Sequence, residues 1–150
     1  RGRREDGPGA GDIERGAEVT INSRNKGSAF ERAVAMELEL LTGIRFKRDI
    51  EQYRAADHGD LIPSDPAFPF VLECKRYASG AGCKLDWMIQ AGKAAAAEGK
   101  LPAVIFKFDR RPIRVAVPFI ALGHDRDAWA EINLDDLAYF ARELMAERAA

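Results

Sequence analysis

Two acids and a lysine stand in an apolar strand pair that should hold none. Gly59-Asp60-Leu61 leads through the turn residues Pro63-Ser64-Asp65-Pro66 to Phe70-Val71-Leu72-Glu73-Cys74-Lys75. Side chains alternate along an extended strand, so Phe70, Leu72 and Cys74 share one face, and Val71, Glu73 and Lys75 share the other. Charges placed in so apolar a strand are costly unless they are paired or bound to a metal. Hard divalent ions such as Mg²⁺ prefer carboxylate, carbonyl and water oxygens, so Asp60 and Glu73 suit one as ligands, with the main-chain carbonyl of Cys74 as a third. Such a site can activate water and stabilise charge on a phosphodiester undergoing hydrolysis. Lys75 has two open roles there: orienting or deprotonating the attacking water, or neutralising the scissile phosphate.

A further acid, Glu31, lies upstream in Lys26-Gly27-Ser28-Ala29-Phe30-Glu31-Arg32. Two carboxylates ~4 Å apart repel by roughly 4 kcal/mol at an effective dielectric of ~20. Three converging on one point would strongly destabilise a domain whose whole stability is on the order of 5–15 kcal/mol. A cation would be the natural reason for them to meet.

In chain order Glu31, Asp60, Glu73 and Lys75 resemble the PD-(D/E)XK nuclease superfamily. The Gly-Ser-x-Phe-Glu-Arg segment at 27–32 is similar to the archaeal and phage Holliday-junction resolvase branch. The resemblance covers roughly residues 25 to 117; it departs at Gly59, where the superfamily usually has proline. It implies a restriction-endonuclease-like α/β fold, a mixed β-sheet flanked by helices. It also implies catalytic roles for Glu31, Asp60, Glu73 and Lys75, with Gln90 supporting the site from the following helix. Glu31, Asp60, Glu73 and the Cys74 carbonyl would hold Mg²⁺, with Mn²⁺ able to substitute. The expected activity is endonucleolytic cleavage of DNA at four-way junctions by a homodimer with two sites. One alternative is another nuclease of the superfamily, acting in phage DNA processing, repair or restriction. A module that only binds nucleic acid or a protein is the other; it would predict a damaged constellation.

Several of these residues have plainer readings. Ser28-Ala29-Phe30-Glu31 fits a capping box, in which Glu31 satisfies a backbone amide. Glu73 and Lys75 could form a solvated cross-strand pair. Gln90 could be a helix-surface amide, Trp87 and Met88 core residues, His58 a loop residue and Tyr53 a packed edge aromatic.

The elements that must position the site follow from periodicity and turn chemistry. Residues 1–24, with Gly7-Pro8-Gly9-Ala10-Gly11 and no sustained packing period, read as a flexible tail before one domain, 25–150. Phe30, Val34, Leu38 and Leu41 form one stripe of a helix from about Gly27 to Leu41, stopped at Thr42-Gly43. Strands are expected at Ile44–Arg48, Asp60–Ile62 and Pro69–Lys75. A second helix over Lys84–Glu98 would place Leu85, Met88, Ile89 and Gly92 on one face, its alanines letting it lie close to the sheet. It would cross over to a central strand, Ala103–Phe108, paired with one around Ile113–Val117. Leu134–Met145 closes as an amphipathic helix with Asn133 as its cap.

The chain of 150 residues suits one domain with a sizeable core. Its net charge of −1 hides an asymmetry. Residues 24–114 carry sixteen Lys and Arg against twelve Asp and Glu, a balance of +4, whereas residues 124–150 carry three against seven. Arg45, Lys47, Arg48 and Arg54, then Arg76 and Lys84, are candidate phosphate contacts; Lys107, Arg110, Arg111 and Arg114 form a third basic group. Cys74 and Cys83, with His58 and His124, make no zinc spacing. No apolar run approaches the ~18 residues of a membrane span, and no signal segment opens the chain, so a cytoplasmic protein without a small-molecule cofactor is expected.

Overall fold

The alternation read in Phe70–Lys75 is realised in a long strand at the centre of the mixed sheet, six-stranded among the described residues. The computed structural model describes the backbone of residues 10–50 and 59–150, with side chains from residue 23 onward. In chain order the elements are α1 (Ala10–Thr42), β1 (Phe46–Arg48), β2 (Leu61–Pro63), β3 (Phe70–Tyr77), α2 (Leu85–Glu98), β4 (Leu101–Phe108), β5 (Arg114–Pro118), a 3₁₀ turn (Phe119–Leu122), β6 (Trp129–Ile132) and α3 (Leu134–Ala149). Strand order follows chain order from β1 to β6, and every pairing is antiparallel except β3 with β4. That parallel pair needs a crossover, which α2 supplies. The result is the mixed α/β sheet flanked by helices that the sequence implied.

The two faces of the sheet are packed differently. Against α1 and α3, the large side chains of Phe30, Val34, Leu38, Phe68, Phe70 and Leu137 form the main core. The stripe expected on α1 is therefore the one that is buried. Against α2, smaller clusters join Trp87 and Ala91 to Val104 and Phe106, and Ala94 and Ala95 to Val71. Alanines bring the helix close to the strands because they have little side chain to hold it away.

Several expectations are corrected. Helix α1 starts at Ala10, not near Gly27, so the segment expected as a tail is helical from that residue on. Glu14, Arg15, Ala17, Glu18 and Arg24 are good helix formers that favour extending the helix ahead of its packing stripe. The buried side of α2 is Trp87, Ala91, Ala94 and Ala95; Leu85 and Ile89 are left 70% and 49% exposed. Leucine and isoleucine are the more apolar side chains, but close approach of the helix to the sheet selects alanine. Strand β6 and the 3₁₀ turn were not expected at all, since Trp129–Ile132 is too short for an alternation to register. The Asn133 cap is present: its side chain accepts from Asp136 N, and Asp136 returns a bond to Asn133 N. α1 ends at Gly43, whose φ of 74° is the left-handed stop expected there.

Candidate active site

Asp60 stands one residue before β2, and Leu61 pairs with Leu72. One further step in that antiparallel register sets Asp60 opposite Glu73. Its own backbone is fixed by Asp60 N donating to Leu72 O at 2.7 Å and by Asp49 N donating to Asp60 O at 3.0 Å. The preceding residue explains the departure from the superfamily motif. A Cβ on residue 59 would lie 2.6 Å from Leu72 O and 2.9 Å from Val71 Cγ1, so proline has no room in this backbone and glycine does.

Asp60 and Glu73 are the only charged residues in the buried set among the described residues, at 7% and 3% exposure. The Asp60 Oδ2 accepts from Cys74 N at 2.6 Å, and the two carboxyls share a hydrogen bond. Burial, then the Asp60 charge, push the Glu73 carboxyl up to about 8. Asp60 is also raised by burial, but the Cys74 amide and the Glu73 hydrogen bond oppose this. Of the two, Glu73 is thus the carboxyl favoured to hold the shared proton, donating the hydrogen bond that Asp60 accepts. Burial raises the Cys74 thiol well above its usual value, making it an unreactive strand residue; it and Cys83 are both free cysteines.

Lys75 lies two residues beyond Glu73 on the same strand face. Its Nζ donates to Gln90 Oε1 at 2.9 Å, which joins the triplet to α2. Glu31 sits one turn along α1 from Ser28. Arg48 Nε donates to Glu31 Oε2 at 2.6 Å, and the same guanidinium donates to Ser28 Oγ at 2.9 Å. Because α1 continues through Ser28, the capping-box reading of Glu31 fails. Burial raises the Glu31 carboxyl, Arg48 opposes that rise, and the charge of Asp60 adds to it. Glu31 thus feels Asp60 electrostatically, yet its nearest partner is Arg48. Among the described residues, no three His, Cys, Asp or Glu side chains form a group arranged to hold a metal ion. The expected convergence of three acids is a convergence of two, with the third held by an arginine.

The basic residues divide by what engages them. Arg76 is tied to Tyr77 O at 2.7 Å and to Asp109 Oδ1 at 2.7 Å, while Lys26 reaches the same carboxylate oxygen at 2.6 Å. These two donors hold the exposed Asp109 below the usual carboxylate range. Lys84 Nζ lies 5.5 Å from the ring centroids of both Tyr77 and Trp87. Arg45 is exposed beside Glu39, and Lys47 is exposed on β1. Arg54, Tyr53 and His58 lie outside the described residues. The roles of Ser28 and Asp109 were missed; in the sequence, only the one-turn spacing of Ser28 from Glu31 hinted at the first. Trp87 is buried as core, as expected.

Residues 22–140 match the family described as "Phage putative PDDEXK endonuclease". No curated protein sequence matches the chain. Among solved structures, the 1.6 Å structure of Archaeoglobus fulgidus Hjc, a Holliday junction resolvase from an archaeal hyperthermophile, superposes with a TM-score of 0.51 at 19% identity. The match covers 77% of this chain and 98% of that one. At that identity the likeness is one of fold. No helix among the described residues is long and apolar enough to cross a membrane.

Proposed function

The chain belongs to this phage PD-(D/E)XK endonuclease family, and on that premise we propose that it is a Mg²⁺-dependent, structure-selective DNA endonuclease that resolves four-way junctions. The observation that carries the reading is the buried Asp60–Glu73 pair, with Lys75 held beside it by Gln90. Two carboxyls that share one proton in a buried place become two charges only when a cation offsets their repulsion. Their oxygen donors fit a hard divalent ion.

In this proposal Asp60, Glu73 and the Cys74 carbonyl would hold the metal, and Glu31, paired with Arg48, would complete the shell directly or through water. A bound ion would supply a more acidic water and stabilise negative charge on the phosphate and leaving oxygen. Cys74 N fixes the Asp60 carboxylate in place. Glu73 must give up its proton to act as a ligand, so metal affinity rises with pH. Lys75 stands beside the attacked phosphate or its water, and Gln90 restrains the lysine's flexible end. We further propose DNA as the partner and a homodimer as the working form, which would cut opposed strands symmetrically. The resolvase fold and the basic central segment support the junction reading.

The test is cleavage of a labelled four-way junction against a matched linear duplex, in Mg²⁺, Mn²⁺ and EDTA, with Glu73→Gln alongside. Paired symmetric nicks in the junction alone, lost in EDTA and in the variant, are expected. Equal cutting of both substrates would retain the nuclease and remove the junction preference. No cutting of either would favour a module that only binds.

A further inference from the structure

We infer that a cleft beside Lys75 is a subsite for one nucleotide displaced from the base stack, as in a single-stranded flap or at an opened branch point. The inference rests on the nuclease reading and names part of its substrate. Strand register fixes its place. Glu73, Lys75 and Tyr77 occupy alternate positions on the α2 side of β3, and pair in turn with Val104, Phe106 and Phe108 of β4; Phe106 pairs onward with Arg114 of β5. Lys75, Phe106 and Arg114 therefore form one cross-strand row, with Tyr77 and Phe108 in the row beyond. Two residues of strand span ~6.6 Å, about the rise of two stacked nucleotides at ~3.4 Å each. A phosphate at Lys75 brings its neighbours to Tyr77.

The surface there is built for a planar, anionic ligand. Tyr77 is half exposed and stacks on Trp87, with centroids 5.2 Å apart and planes 18° from parallel. Lys84 stands over both rings. Next to this lip is a cleft of about 370 Å³ whose apolar lining includes Phe108 and Pro112, with Arg111 and Arg114 as its cations and Glu131 as its acid. Arg114 Nε is 3.7 Å from Glu131, while Arg111 is exposed. The loop that closes the cleft depends on Gly80: a Cβ there would lie 2.4 Å from the Phe108 ring, so the backbone rests directly on that aromatic. An aromatic lip, a largely polar slot with an aromatic wall and two guanidiniums are the parts that bind an unpaired nucleotide through stacking and phosphate contact. A fully paired duplex keeps its bases in the stack and has little to place in the slot.

The experiment is fluorescence anisotropy in EDTA, which measures binding without cleavage. It uses a duplex bearing a short single-stranded flap, a four-way junction and a blunt duplex of the same sequence. Arg111→Ala and Tyr77→Ala should each weaken flap and junction binding about tenfold, in the range of stacking losses on alanine substitution, with less than about twofold change on the blunt duplex. Tyr77→Phe, which keeps the ring, should bind as the unmutated chain does, and circular dichroism and melting identify any variant that has lost its fold. Arg111 is an exposed turn residue, so its variant remains informative if Tyr77→Ala unfolds. Equal losses on all three substrates, or no loss on any, would overturn the subsite. Should Mg²⁺-dependent cleavage be absent while the discrimination persists, it is the nuclease reading that fails.

Discussion

The α1 side and the α2 side of one sheet are built from opposite materials. On the first, Phe68 lies edge-on to Phe46 at 5.0 Å, and Val34, Leu38, Phe70 and Leu137 are essentially inaccessible. On the second, three alanines and a tryptophan hold α2 to the strands, and Glu73 and Lys75 emerge from the same strand face that Val71 helps to bury. A strand must serve both sides at once because its side chains alternate. The comparison teaches how a small domain can tolerate buried carboxyls: the large-residue core on one side stabilises β3, so the other side can carry groups that oppose folding.

The sharpest test of that division is to exchange a ligand for its neutral isostere. Glu73→Gln should reduce cleavage by more than the ~10–100-fold typical of losing an outer-shell partner of a metal site. It should leave the metal-free fold intact or more stable. A variant that unfolds would place Glu73 in the structural half of the comparison. In the opposite half, Leu38→Ala should cost ~2–5 kcal/mol through lost burial and cavity formation. Its midpoint should move in denaturant titrations, and if cleavage per folded molecule fell as well, the separation of the two sides would fail.

The same division has a pH signature. The Glu73 carboxyl, ordinarily near 4.5, is raised to about 8 in the fold. Between those values the folded chain holds a proton that the unfolded chain has released, so stability falls as pH rises. The contribution is complete below about 4.5 and lost as pH climbs through about 8, a change on the order of a few kcal/mol. Melting of the metal-free protein from about pH 5 to about pH 8.5 should show the decline, at roughly 2–4 °C for each kcal/mol. Glu73→Gln should flatten it. A steep decline that survives in the variant would assign the effect to another group. Gln90→Ala should act more gently, lowering the cleavage rate about tenfold by releasing Lys75, while stability stays within ~0.5 kcal/mol because Gln90 is exposed. Loss of stability without loss of rate would make it an ordinary helix residue.

The parts of this arrangement that were legible in sequence are those set by short-range geometry. Strand alternation placed Glu73 and Lys75 together, and the i, i+4 stripe of Phe30, Val34 and Leu38 chose the buried side of α1. Gly43 and Asn133 marked helix ends through φ and capping. What was not legible depends on partners distant in the chain. Nothing local to Glu31 announces that Arg48, seventeen residues away, takes its carboxylate. Likewise, the choice of Trp87 and Ala91 over Leu85 and Ile89 is made by the strands beneath α2, not by the helix. Asp109 gathers Lys26 and Arg76 from two different elements, a convergence that only the folded chain creates.

Those partners also decide which cations remain for DNA, and the effect expected there is the smallest. Arg45 is 84% exposed, with Glu39 3.5 Å from its Nε; Arg48 is 28% exposed and bonded to both Glu31 and Ser28. A weak surface ion pair yields readily to a phosphate, whereas a half-buried guanidinium with two good partners does not. If Arg45 contacts a phosphate, Arg45→Ala should lower the magnitude of the log Kd against log salt slope by about 0.9. Arg48→Ala should change that slope much less, and instead shift the metal concentration needed for half-maximal cleavage, because its loss frees Glu31. A full unit of slope lost with Arg48→Ala would mean that substrate draws the guanidinium off Glu31. Phosphate capture and completion of the metal shell would then be a single event, and the boundary between the side that folds and the side that reacts would run through that ion pair.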